Sequence, residues 1–155
     1  MLTLRTKEKW ANSSEGKEVI IEPSVTNAIS LYRQIKITDP ESGGLLFAKV
    51  SADTIHILSL TTPQPLDKAT RTFFQREDPK HLIAAKHLYK TSKGEINCIG
   101  EWHTHPEPIP TPSSIDRRTW KAFAKNSTFE PIFIIQGQKM LKVFTLATEY
   151  TQTLK

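Results

Sequence analysis

Six residues of defined type fall within a short stretch of this chain: His103, His105 and Pro106, then Pro112, Ser113 and Asp116. In an extended segment, residues i and i+2 project to the same face. His103 and His105 can therefore present both imidazoles to one ion. Asp116 follows His105 by eleven residues, after the proline-stiffened loop EPIPTP, which can fold it back from the first turn of an expected helix. Two histidines and a carboxylate, with the fourth position left to water, make the open pattern of a catalytic zinc site. A structural site more often closes with four protein ligands, and the single cysteine, Cys98, cannot build the thiolate version. A His-x-His pair alone can arise by chance at a strand end. Agreement at all six positions removes most of that reading.

The chain that must position these groups has 155 residues, 37% hydrophobic and 24% charged. That suffices for one domain with a real core and excludes the disordered and low-complexity classes. Twenty-one Lys and Arg against sixteen Asp and Glu leave +5, with the charges scattered and no nucleic-acid stripe. One cysteine rules out an intrachain disulfide framework and fits a reducing compartment. No apolar run reaches the roughly 18 residues of a membrane span, and the N-terminus lacks a signal-peptide core. The expectation is a cytoplasmic protein with no membrane partner.

Residues 1–17 are read as a poorly ordered segment or an edge strand, on the alternation of Leu2 and Leu4. Residues 18–22 predict a strand, and Val25, Ile29, Tyr32 and Ile35 predict an amphipathic helix over 24–36. LLFAKV (45–50) and TIHILSL (54–60) predict neighbouring strands, with 61–70 as a loop and a further strand starting at 72–74. Asp78-Pro79 starts a helix closed by Lys93-Gly94, with Leu82, Ala85 and Tyr89 on its inner stripe. Its Lys80, His81, Lys86, His87 and Lys90 are read as a solvated face, and His56 as a solvated histidine. EINCIGEW (95–102) is a central strand running into the histidines. Ser113 or Ser114 caps a third helix, and the chain ends in a hairpin turning at Gly137-Gln138. Together these predict one α+β domain. Cys98, within an apolar strand, is read as structural, and Gly43-Gly44 as permissive backbone beside the site.

HTHP followed by PSSID resembles the His-x-His-Pro…Pro-Ser-x-x-Asp signature of the JAMM (JAB/MPN+) metalloproteases. Glu41-Ser42-Gly43-Gly44, 62 residues before His103, matches that family's glutamate context, and Gly-Glu-Trp-His-Thr-His-Pro is similar to its compact bacterial branch. The resemblance spans residues 18–147. It implies a JAB/MPN fold, a mixed sheet flanked by helices in a cytidine-deaminase-like three-layer arrangement. It also implies one zinc ion on His103, His105 and Asp116, with Glu41 as general acid–base and Ser113 donating to the oxyanion. Strand geometry alone leaves Glu101 as a rival base, since it shares the ligand face with His103; the resemblance favours Glu41. Glu101 then becomes an outer-sphere or groove residue, and Trp102 either a core aromatic or a groove wall.

The function so implied is zinc-dependent isopeptidase activity on a protein with an extended C-terminal tail. The tail would belong to a ubiquitin-like protein or a CBASS cyclic-nucleotide synthase, conjugated by a ubiquitin-transfer-like enzyme in antiphage defence. A non-catalytic MPN scaffold and a zinc hydrolase of small-molecule or sulfur-carrier adducts remain the alternatives. A nucleic-acid role ranks lowest.

Overall fold

Alternating burial along residues 18–21 and the alternation of 54–60, with the apolar run 45–48 buried on both faces, give these strands faces to bury, and the sheet forms by joining them. In the computed structural model, residues 8–12, 16–146 and 149–153 are described, with side chains for 16–146. The strands are β1 (Glu8–Asn12), β2 (Glu18–Ile21), β3 (Gly43–Val50), β4 (Thr54–Leu60), β5 (Lys68–Thr70), β6 (Phe73–Gln75), β7 (Ile96–Thr104), β8 (Ile132–Gln136), β9 (Met140–Phe144) and β10 (Glu149–Thr153). The helices are α1 (Pro23–Ser30), α2 (Lys80–Thr91) and α3 (Ser114–Lys125). Eight strands make one mixed sheet in the order β1-β2-β4-β3-β7-β8-β9-β10, and β5-β6 form a separate hairpin. Among the described residues, only β2/β4 and β7/β8 pair in parallel. The edge strands β1 and β10 approach one another, so the sheet is curled.

Two cores sit on its two faces. Val25 and Ile29 of α1 pack with Leu46, Ile57, Trp102 and Ile134 on one side. Each such burial contributes about 1.5–3 kcal/mol. On the other side Trp120 of α3 stacks on Phe133 with ring centres 4.6 Å apart, beside Ile135 and Phe144. The result is the expected helix–sheet–helix arrangement of an α+β fold.

Several local expectations are corrected. The first helix ends at Ser30, not 36. Tyr32 lies beyond it with its ring 5.6 Å from Trp102, and Ile35 is 65% exposed. The chain turns here because buried Gln34 donates to the carbonyls of Asp39 and Arg71 and accepts from Thr104 Oγ1. The supposed loop 61–70 contains β5, paired with β6. The final strand stops at Phe144 and β10 returns antiparallel to it. The edge-strand reading of Leu2 and Leu4 lies outside the described residues; the observed edge strand is β1.

His56 is not solvated: its Nε2 lies 2.8 Å from Glu22 Oε1. The inner stripe of α2 is also displaced. Leu82 and Tyr89 are each 55% exposed, whereas His81 is fully buried. Its Nε2 lies 2.6 Å from Asp67 Oδ2 and its Nδ1 2.6 Å from Thr61 Oγ1. Thr61 Oγ1 accepts from Leu45 N–H, so every group is satisfied when Thr61 donates to Nδ1 and Nε2–H donates to Asp67. Burial alone would raise the Asp67 carboxyl. The N–H groups of Asp78, Gln64 and Glu77, with His81, outweigh it and hold the carboxyl below its ordinary value. Its folded-state stabilisation is therefore complete above the unfolded value near 3.8 and is lost as pH falls below it. Asp67→Asn should lower stability by about 1–3 kcal/mol at pH 7 and flatten the acid limb of a melting-temperature profile.

Candidate active site

The register of β7 does what the alternation of its residues demands. His103 pairs with Gly43 and Ile135, placing its imidazole on the α3 side of the sheet, while Trp102 turns to the other side. Thr104, between the two histidines, is fully buried. Its Oγ1 accepts from Ser42 N–H and its own N–H donates to the Ser42 carbonyl, both at 2.9 Å. This reciprocal clamp fixes Glu41 beside the histidines, and Glu41 N–H adds a 2.8 Å bond to the Thr70 carbonyl. Gly43 and Gly44 are required for close approach, not for unusual backbone angles. A Cβ on Gly43 would lie 2.7 Å from Phe74 Cδ1, and one on Gly44 would overlap the Thr61 carbonyl.

Past Pro106 the loop is anchored to the hairpin turn by Gln138 N–H on the Glu107 carbonyl and Lys139 N–H on that of Pro108. It returns at Ser113, which caps α3. Ser113 Oγ accepts from Asp116 N–H at 3.0 Å, and Asp116 Oδ2 accepts from Ser113 N–H at 2.8 Å. This capping box orients the carboxylate toward the sheet. Trp120, one turn on, holds the same face of α3 against Phe133.

The groups meet at the mouth of a cavity of about 670 Å³. His103 Nε2 and His105 Nε2 are 3.0 Å apart. Asp116 Oδ1 lies 3.2 Å from His103 Nε2, and Oδ2 3.1 Å from His105 Nε2. Among the described residues these three form a group whose ligand atoms all lie within 4.8 Å of one another. The donor set fits a zinc ion: two imidazole nitrogens aimed at each other and at one ionised oxygen pair leave a cation-sized demand between them. Burial would raise Asp116, but hydrogen bonds from His103 and His105 hold its carboxyl far below the ordinary range. For His105, burial opposes protonation, and hydrogen bonds to Asp116 and Glu107 override it, pushing the ring up to about 9.

Glu41 behaves oppositely to Asp116. It is 7% exposed, with Oε1 3.8 Å from His105 Nε2, and burial pushes its carboxyl up to about 8 despite His105. Two neighbouring carboxyls driven in opposite directions is the pattern of one group that stays ionised and one that carries a proton.

Glu107 is a site residue that sequence reasoning missed. Its Oε1 lies 3.0 Å from His105 Nδ1 and accepts from Thr111 N–H. Nδ1–H donation to this carboxylate leaves the Nε2 lone pair free for a metal. Its position two residues after His105 was the available signal. Glu107→Ala should weaken zinc affinity by about 10–100-fold, read by competition with a chromogenic chelator.

Glu101 shares the cavity but reaches neither histidine; it accepts from Arg76 Nη2 at 2.8 Å. Trp102 borders the cavity, yet its ring is 1% exposed and its N–H donates to the Thr61 carbonyl, so it is a core aromatic. Burial pushes the Cys98 thiol up to about 11, which suits a structural residue and not a nucleophile.

Comparison with known proteins gives the family and the fold. Residues 31–148 match Prok-JAB, the prokaryotic homologs of the JAB domain. A CD-NTase/cGAS isopeptidase of Escherichia coli (strain TW11681) is 35% identical over 121 residues, 78% of this chain and 77% of that protein. One of Pseudomonas aeruginosa (strain BWHPSA011 / Pa011) is 32% identical over 86% of both chains. The solution structure of protein DSY2949 from Desulfitobacterium hafniense shares the fold, with a TM-score of 0.56 at 16% identity over 85% of this chain and 88% of that one. With the family's match covering most of the chain and the curled mixed sheet beneath it, this protein belongs to the prokaryotic JAB-domain family.

Proposed function

We propose that the protein is a zinc-dependent isopeptidase of JAMM type. It hydrolyses the amide joining the C-terminus of a CD-NTase/cGAS-like nucleotidyltransferase, or of a ubiquitin-like protein, to a lysine of its target. The reading includes a cytoplasmic setting in CBASS antiphage defence, opposite a ubiquitin-transfer-like enzyme that makes the conjugate. The observation that carries it is the convergence of Glu41 with His103, His105 and Asp116 at one cavity. The names of the relatives, CD-NTase/cGAS isopeptidase, support the choice of substrate class. Among the described residues no helix is long and apolar enough to cross a membrane.

His103, His105 and Asp116 would hold the zinc ion, which would supply Lewis acidity and make water at the site acidic enough to attack near neutral pH. Glu41, buried and within reach of His105, accepts a proton from the attacking water and returns it to the departing lysine amine. Ser113 uses a lone pair to cap α3, so its hydroxyl hydrogen is free to donate to the oxyanion developing on the scissile carbonyl. Asp116 stays ionised throughout, and Glu107 keeps His105 in one tautomer. No covalent acyl-enzyme is needed, since water is the attacking group.

The test is a nucleotidyltransferase joined through its C-terminus to a lysine of a carrier protein. The expected result is release of the nucleotidyltransferase with a free C-terminal carboxylate, and slow turnover of a small dipeptide-like amide. Steady cleavage of the small amide with an untouched conjugate would transfer the protein to the small-molecule hydrolases.

A further inference from the structure

We propose that Arg76, held by Glu101, grips the main chain of the substrate tail at the carbonyl two residues before the scissile one. This rests on the isopeptidase reading and deepens it.

Arg76 follows the last residue of β6 and lines the same cavity as Glu101 and His103. Its side chain is 26% exposed and that of Glu101 19%, so the pair is mostly withdrawn from water. A guanidinium has five N–H donors. Here Nη2 bonds Glu101 Oε1, while Nε is enclosed and has no acceptor. A buried donor left without a partner costs about 1–3 kcal/mol, and such groups are rare in native proteins. Nε is walled in by protein, so a ligand would reach this guanidinium through its Nη groups, whose one bond among the described residues is that to Glu101, at the wall of the cavity.

Strand geometry identifies the ligand's acceptor. Glu101 and His103 are two apart on β7 and face the same side, about 6.6 Å apart along the strand. An extended tail lying along β7 has the same repeat, and its carbonyls at i and i−2 point the same way. With the scissile carbonyl at the two histidines, the carbonyl two residues upstream meets the Arg76–Glu101 pair. The lysine side of the bond offers only an aliphatic stem there. An acidic side chain is a poorer partner, because it would bring a second carboxylate against Glu101. The neutral main-chain carbonyl leaves the pair balanced. Glu101 is thus a positioning residue that acts through Arg76.

Two isopeptide substrates isolate this contact: a tail of four alanines, and a tail of one, each joined to Nε of a fluorophore-bearing lysine. Wild type should favour the longer tail in kcat/KM by roughly tenfold or more, the scale of one hydrogen bond from a charged donor. Arg76→Met should remove that preference by raising KM for the four-alanine tail to the level of the one-alanine tail, with zinc content kept; its melting temperature should fall, because Glu101 loses its ion-pair partner. Arg76→Lys should restore part of it, and Glu101→Gln should retain part. Equal losses on both tails, or no loss on either, would overturn the inference alone. Cleavage of neither tail by wild type would sink the isopeptidase reading and this inference with it.

Discussion

Replacing Glu41 with Gln is expected to lower kcat by about 10²–10⁴-fold while zinc content stays at the wild-type level. Gln keeps the size of Glu, and the backbone bonds that fix residue 41 run through its own N–H and through Ser42 to Thr104, none of which the change touches. What is lost is a proton acceptor in a nearly enclosed position. Burial makes this carboxyl unusually basic, so it can hold a proton near neutral pH and pass it on. Glu101 cannot substitute, since its carboxylate is taken up by Arg76. Full turnover in a zinc-loaded Glu41→Gln protein, measured at saturating substrate, would show that the base lies elsewhere.

His103→Ala and Asp116→Ala should each abolish measurable turnover and lower zinc affinity by more than the roughly 100-fold expected for an outer-sphere partner. The two differ in a second respect. Asp116 also accepts from Ser113 N–H, so its removal breaks that half of the capping box, while Ser113 Oγ keeps its bond from the residue 116 N–H. Losing that hydrogen bond costs about 0.5–1.5 kcal/mol independently of metal. His103 has no part in the cap. With zinc removed by a chelator, Asp116→Ala should therefore melt below His103→Ala. Zinc affinity preserved in either variant would contradict the ligand set.

The proposed metal site was legible because its chemistry is carried by residue types at short spacing: an i, i+2 histidine pair on a strand and an aspartate in a capped first turn. The strands β2, β3, β4, β7, β8 and β9, and α3, were legible for the same local reason. What escaped depends on partners distant in sequence. His81 sits among lysines on a helix and reads as solvated, yet Asp67 and Thr61 arrive from a preceding loop to bury it. Thr104 looks like a spacer between histidines until Ser42 and Gln34, 62 and 70 residues away, are brought against it. The apolar period of α1 continues through Tyr32 and Ile35, but the buried Gln34 pulls the chain out of the helix first. Periodicity reports which side chains could face a core, and tertiary hydrogen bonds decide which of them do.

The most direct test is to prepare zinc-free protein with a chelator, supply the isopeptide-linked nucleotidyltransferase conjugate, and titrate zinc back. The expected result is no release without metal, rising to a plateau at about one zinc per chain, the stoichiometry of an open three-ligand site. Undiminished release by the metal-free protein, or a folded chain that takes up no zinc, would contradict it.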